Sequence, residues 1–168
     1  MNRWKQLAAS RVTGGWLAAL EMLGIFALSH RSWKGTGPSL SNGLTNLCHF
    51  PLYAMLGALL AIALGVGADR AAATRAALQG AMVACLYGVL DEWHQGLIPG
   101  RDCSLFDVTT NLIAAVCGAM ALATARWGLP RRAVQWLIGG LILAVVSSYL
   151  LPDAFPEANL LLRRAFFD

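Results

Sequence analysis

Apolar residues along the chain gather into five runs separated by short polar breaks, near 12–29, 49–67, 75–93, 106–125 and 133–151. Each run has roughly the 18 to 20 residues that a helix needs to cross the hydrocarbon core of a bilayer. The pattern predicts an all-α fold: a polytopic membrane helix bundle of about five transmembrane helices. Segment 1–11 is expected to be a cytoplasmic N-terminal segment, 12–151 the transmembrane domain and 152–168 a C-terminal tail. The stretch from 30 to 48, HRSWKGTGPSLSNGLTNLC, is rich in Ser, Gly, Asn and Thr, and predicts a loop without regular structure. Ala115, Ala119 and Ala123 recur at four-residue spacing and predict close helix approach in the fourth span. No internal repeat, low-complexity tract or separate soluble domain is evident.

Composition agrees with the pattern. Of 168 residues, 57% are hydrophobic and only 13% charged, which excludes an ordinary soluble surface. The net charge of +4 could suit nucleic acid, but the basic residues flank apolar runs and form no single patch, so no nucleic-acid partner is expected. Most of the 13 Lys and Arg residues fall on the side of the N-terminus, which predicts an inside N-terminus and an outside C-terminus. Arg3, Lys5 and Arg11 before the first run resemble a secretory signal, yet Glu21 interrupts the run and no small-residue cleavage site follows promptly. A retained first helix is expected. The Trp residues at 4, 16, 33, 93, 127 and 136 are expected to anchor helices near the interfaces.

The four cysteines, Cys48, Cys85, Cys103 and Cys117, match neither a metal motif nor a disulfide scaffold. Cys85 and Cys117 are expected inside the bundle. Cys103 is expected outside, open to an impermeant thiol reagent.

Polar residues inside apolar runs are costly, and they mark candidate chemistry. His49 and Tyr53 are four apart, Glu92 and Gln95 three apart, and Asp107 and Asn111 four apart, so each pair shares a helix face. With alternating spans, all of them fall at one side of the membrane. The face of Asp107 and Asn111 continues through Ala114 and Gly118, which turns it toward the bundle. Asp91 and Glu92, near a helix C-terminus, oppose the helix dipole and call for another reason to be there. The nearest cation in sequence is Arg101, on a tight turn made by Pro99 and Gly100.

Plainer readings stand beside these. His49 could be an interfacial residue without a chemical role, Asp91 a solvated loop residue, and Asp107 an acid in the first turn of a helix capped by Ser104. Glu21 divides evenly between packing and function. A metal set of His49, Glu92, His94 and Asp107 has ligand types that suit zinc or manganese, but its spacing fits no tight motif. No cofactor is therefore expected, with a divalent metal kept as the minor alternative.

The segments CHFPLYAMLGALL and YGVLDEWHQGLIPGRDCSLFDVTTNLIAAVCG resemble the VanZ-like integral membrane proteins, whose namesake is associated with teicoplanin resistance. The resemblance covers roughly 20–125 and rests on the order His49, Tyr53, Asp91, Glu92, Gln95, Pro99, Arg101, Asp107, Asn111. Thr45 and Asn46 stand where many relatives carry an Asp-Lys pair, so an ion pair there is absent. A proposed distant kinship of that family with enzymes exchanging lipid head groups implies phosphate-ester chemistry.

The residues and the resemblance together lead to the expectation of a bacterial cytoplasmic-membrane protein. Its outer-leaflet pocket would bind a phosphate-bearing lipid or lipid-linked cell-envelope precursor and could modify it. His49, Glu92 and Asp107 form the candidate catalytic set. Tyr53, Asp91, Gln95, Arg101 and Asn111 form the candidate substrate-binding set, with Arg101 as a planar phosphate clamp. The main rival is an envelope protein that holds a lipid without bond cleavage. A small transporter finds little support without inverted repeats.

Overall fold

Lipid offers no hydrogen bonds to a polypeptide backbone, so a span must satisfy its own, and the apolar runs form helices. The computed structural model describes residues 3–31, 42–66, 69–155 and 157–168. Among the described residues seven helices follow one another: α1 Arg3–Ser29, α2 Asn42–Ala63, α3 Arg70–Leu97, α4 Leu105–Arg126, α5 Pro130–Tyr149, α6 Leu151–Ala154 and α7 Ala158–Phe167. The first five contain stretches long and apolar enough to cross a membrane, and no strand occurs among the described residues. The protein is an all-α, multi-pass membrane bundle.

Helix α4 occupies the centre, packed against α2, α3 and α5, while α1 lies outside and leans mainly on α2. The core is built from small residues. Ala115, Ala119 and Ala123 of α4 are fully buried, as their spacing predicts, and so are Ala73, Ala77 and Ala84 of α3. Two contacts between α2 and α4 admit no side chain at all. A methyl on Gly118 would collide with the carbonyl of Ala54, and one on Gly57 with the carbonyl of Ala115. Without a hydrophobic drive between helices in lipid, such close backbone approach is a main source of association.

Large apolar side chains point outward: Trp16, Leu20 and Leu23 on α1, Met82, Leu86 and Leu90 on α3, Ile138 and Ile142 on α5. Buried polar groups point inward. An apolar exterior around a small-residue, partly polar interior suits lipid as the solvent. Trp16, Trp93 and Trp136 share the outward apolar surface, whereas Trp127 lies under the Arg70 guanidinium, 5.9 Å from its ring centre. Trp33 lies outside the described residues. Glu21 faces a groove of about 340 Å³ between α1 and α2, lined by Leu17, Leu20, Leu52 and Met55, and its Oε1 has no partner.

Helix ends differ from the sequence pattern at the start of α2, at both ends of α3 and in the tail. Residues 42–48 are helical, although the polar run 30–48 predicts a loop. Asn46 is buried there, and Gly43 sits so close to the ring of Tyr149 that a methyl would come within 2.6 Å of it, so packing against α5 overrides the loop composition. The remainder of that loop, 32–41, lies outside the described residues. Helix α3 starts at Arg70, where the Asp69 side chain accepts the Ala72 N–H at 2.7 Å. It runs to Leu97, about a turn and a half beyond Glu92, rather than ending near 93. The expected tail forms α6 and α7, and α7 returns to the bundle: Asn159 Oδ1 accepts the Leu105 N–H at 2.8 Å, and Arg163 reaches Asp102 at 3.6 Å.

The glycine contacts generate a matched test. Gly118→Ala should lower the thermal stability of the detergent-solubilised protein by about 1–3 kcal/mol, the usual cost of overpacking. Gly139→Ala, where an added methyl meets nothing within 4 Å, should be neutral or raise stability by up to about 1 kcal/mol through helix propensity. Thermal unfolding followed by circular dichroism compares them; equal melting points would refute close packing at Gly118.

Candidate functional site

Helices α2 and α4 both begin, and α3 ends, at one end of the bundle, and there the buried polar residues meet. His49 lies about two turns into α2, stacked with Tyr53 at 6.1 Å between ring centres, as their four-residue spacing requires. Its Nδ1 is 3.0 Å from Asn111 Oδ1, and its Nε2 is 3.8 Å from Asp107 Oδ2. In a neutral ring, a donor on Nδ1 leaves the Nε2 lone pair facing the Asp107 carboxylate. Tyr53 is fully buried, and its hydroxyl donates to Asp91 Oδ2 at 3.4 Å.

Gln95 links the acids to the cation. Its Nε2 donates to Asp91 Oδ2 at 2.9 Å and to Glu92 Oε1 at 3.1 Å, while its Oε1 accepts from Arg101 Nη2 at 2.5 Å. Arg101 thus approaches the acidic pair through an amide, with no direct ion pair. Its Nη1 donates to the carbonyls of Arg31 at 3.1 Å and Leu28 at 3.5 Å, at the end of α1. The tight turn suggested by Pro99 and Gly100 delivers it: the Arg101 N–H donates to the Ile98 carbonyl at 3.0 Å, and Gly100 takes a φ of 86° that favours glycine at that turn position.

The other arm of Glu92 holds the start of α4, since its Oε2 accepts the Ser104 N–H at 2.8 Å. Ser104 is the N-cap of α4 and accepts the Asp107 N–H at 3.2 Å, so the plain capping reading of this turn holds as well. The Asp107 carboxylate is nevertheless turned inward beside His49. Asp91 is not a solvated loop residue; it is 4% exposed inside α3, because the helix continues past it.

Glu92 is fully buried, and so is Asn111. Three buried atoms of the cluster have no hydrogen-bond partner: Asp91 Oδ1, Asp107 Oδ1 and Asn111 Nδ2. One ligand-type atom from each of His49, Asp91 and Glu92 lies within 4.8 Å of the others. His94 is not part of this group. It points away, with its Nε2 3.3 Å from His30 Nδ1 and its ring stacked on Phe26 at 4.6 Å. Sequence spacing could have preferred Asp91, four residues before Gln95, over His94.

Cys103 departs from expectation. It is buried under the cluster, and burial together with the neighbouring Glu92 carboxylate pushes its thiol above the usual range. A buried, protonated thiol is a poor nucleophile, so Cys103 cannot serve as an exposed label site. Cys117 is buried as expected and Cys85 only partly so.

No family model, curated protein or solved structure matches the chain.

Gln95 carries the most connections in the cluster, which gives a direct test. Gln95→Leu keeps most of the volume but strips Asp91 and Glu92 of their shared donor and Arg101 of its acceptor. Buried groups left unpaired each cost about 1–3 kcal/mol, so the variant should melt clearly below wild type in detergent. An unchanged melting curve would mean that water already replaces the amide.

Proposed function

We propose that this cluster is a pocket for the phosphate-bearing head group of a membrane lipid or lipid-linked cell-envelope precursor, and that it acts on the phosphate ester. The observation that carries the reading is the joining of His49, Asp91, Glu92, Asp107 and Arg101 at one end of the bundle, with buried polar atoms left unpaired. A polar cluster of this size is costly in a membrane protein unless it serves a ligand or a proton path. Arg101 supplies a planar, permanently charged fork for phosphate. His49 Nε2, with Nδ1 held by Asn111, is oriented for proton transfer, and Glu92 beside it is the second acid–base group. Tyr53, Gln95 and Asn111 orient the groups, and Asp107 orients His49.

Kinship with VanZ-like proteins belongs to the same proposal, supported by the residue order from His49 to Asn111, and so does a link to glycopeptide resistance. The proposed site is the bacterial cytoplasmic membrane, with the N-terminus inside and the cluster facing the outer leaflet, supported by the distribution of Lys and Arg. A second reading, binding without bond cleavage, is favoured by the prior engagement of Arg101 with Gln95 and backbone carbonyls.

Two experiments follow. Arg101→Lys keeps the charge but loses the fork, and should weaken binding of phospholipid vesicles. Glu92→Gln should leave binding largely intact and cut phosphate-ester cleavage or head-group exchange by roughly 10²–10⁴-fold, measured in matched liposomes. Wild-type binding with no turnover selects the second reading; undiminished turnover in Glu92→Gln removes Glu92 from proton transfer. For orientation, Asp102 is well exposed beside the cluster. Asp102→Cys in a chain whose native cysteines are replaced by Ala should react with an impermeant maleimide in intact spheroplasts. Reaction only after membrane rupture would place the cluster on the inner side.

A further inference from the structure

The charges and lone pairs of the cluster leave a place that hydrogen bonds within the protein do not fill. Three carboxylates, Asp91, Glu92 and Asp107, are each at least nine-tenths buried, and the nearby cation is Arg101, which spends its donors on Gln95 and on the carbonyls of Leu28 and Arg31. With the three acids ionised and His49 neutral, the group has two negative charges in excess, in surroundings where uncompensated charge is expensive. Asp91 Oδ1 and Asp107 Oδ1 are buried without a partner. His49 adds to the imbalance: with Asn111 on Nδ1, its Nε2 turns a lone pair toward Asp107 Oδ2, 3.8 Å away, and an acceptor faces an acceptor. A proton on Nε2 or a cation between the two relieves that contact.

The geometry points to a divalent-cation site formed by His49 Nε2, Asp91 and Glu92, with Asp107 at its edge. One ion of charge two would cancel the excess and supply the missing partner to Asp91 Oδ1. One ligand-type atom from each of His49, Asp91 and Glu92 already lies within 4.8 Å of the others. Ligands at 2.0–2.2 Å from a shared ion are at most about 4.4 Å apart, so a small rotation of a carboxylate closes the set. The supporting shell is also present. Asn111 fixes the imidazole tautomer, Gln95 and Tyr53 donate to Asp91, and the Ser104 N–H donates to Glu92. One imidazole among carboxylates selects manganese or zinc over the all-oxygen preference of magnesium and calcium. The ion deepens the head-group reading and rests on it for one point alone, that the ion would receive a phosphate oxygen alongside Arg101.

The test uses the full chain in detergent, tag removed, stripped with chelator and dialysed, with manganese chloride and zinc chloride as probes. Uptake is measured by manganese electron paramagnetic resonance and by elemental analysis, without added lipid. We expect one ion per chain and a higher melting temperature on adding metal, since an ion that binds the folded state stabilises it. Asp91→Asn and Glu92→Gln should each weaken metal binding at least tenfold, so the liposome comparison of Glu92→Gln with wild type is made at saturating metal. Asn111→Ala, acting on His49, should weaken it about 10–100-fold. His94→Ala should leave it unchanged, which separates this site from the His30–His94 pair. Should Asp91→Asn fail to fold, the wild-type resonance and melting shift with the His94→Ala control still decide.

No uptake of either ion by folded wild type at about 1 mM metal, a concentration far above that of a useful site, overturns the inference, and protons then neutralise the cluster. Uptake abolished by His94→Ala but kept in Asp91→Asn also overturns it. Phospholipid binding is measured in parallel with and without chelator. Metal uptake without lipid binding keeps the ion and defeats the head-group reading; lipid binding without metal uptake does the reverse.

Discussion

The contact between the backbones of α2 and α4 sets the rest of the molecule. Gly57 against Ala115 and Gly118 against Ala54 let two helices that run in the same direction touch without intervening side chains. About two turns nearer the helix starts, that closeness puts His49 beside Asn111 and Asp107. A larger residue at either glycine would separate the pair and open the cluster to lipid. The same economy extends to α3, whose Gly88 sits against Asn111 and the Tyr53 ring. Small residues in the core therefore do more than permit association: they determine which polar groups meet.

Around that contact the interior and exterior exchange the usual roles of a water-soluble protein. Leu, Ile, Met and Trp cover the outside, while Glu92, Gln95, Thr110 and Asn111 are sealed inside. In such a bundle, specificity of helix pairing comes from packing and from polar partners, because apolar contact with a neighbouring helix gains little over contact with lipid. Gln95 shows the principle at one residue. It joins α3 to the loop before α4 through Arg101, lies 3.5 Å from Ser29 of α1, and holds two carboxylates that would otherwise repel.

Much of this was legible in the sequence, and the limits are instructive. Hydropathy located all five spans, since bilayer thickness fixes their length. Four-residue spacing placed Tyr53 under His49 and Asn111 near Asp107, and Pro99-Gly100 announced the turn that carries Arg101. Span ends were less legible. The polar start of α2 reads as loop because its cover, Tyr149, is about a hundred residues away in sequence. Helix α7 reads as a tail because its anchor, the Leu105 N–H, is a backbone group that side-chain pattern does not reveal. The partners of Arg101 were hidden for the same reason: two of its acceptors are main-chain carbonyls, Leu28 in the last turn of α1 and Arg31 just beyond it. Cys103 reads as exposed because it follows a charged turn, yet it is covered from the side of α3.

Those two carbonyls have a consequence of their own. The last carbonyls of a helix lack partners within it, and Arg101 donates to one of those at the end of α1, Leu28, and to the Arg31 carbonyl just beyond the helix. The guanidinium is thus shared between two customers, the terminus of an outlying helix and the amide that leads into the acidic cluster. An anion that drew Arg101 away would return the end of α1 to its other solvent. By linkage, whatever loosens that end would in turn raise the affinity for the anion by the same factor. The outermost helix is in this sense a thermodynamic counterweight to the polar centre.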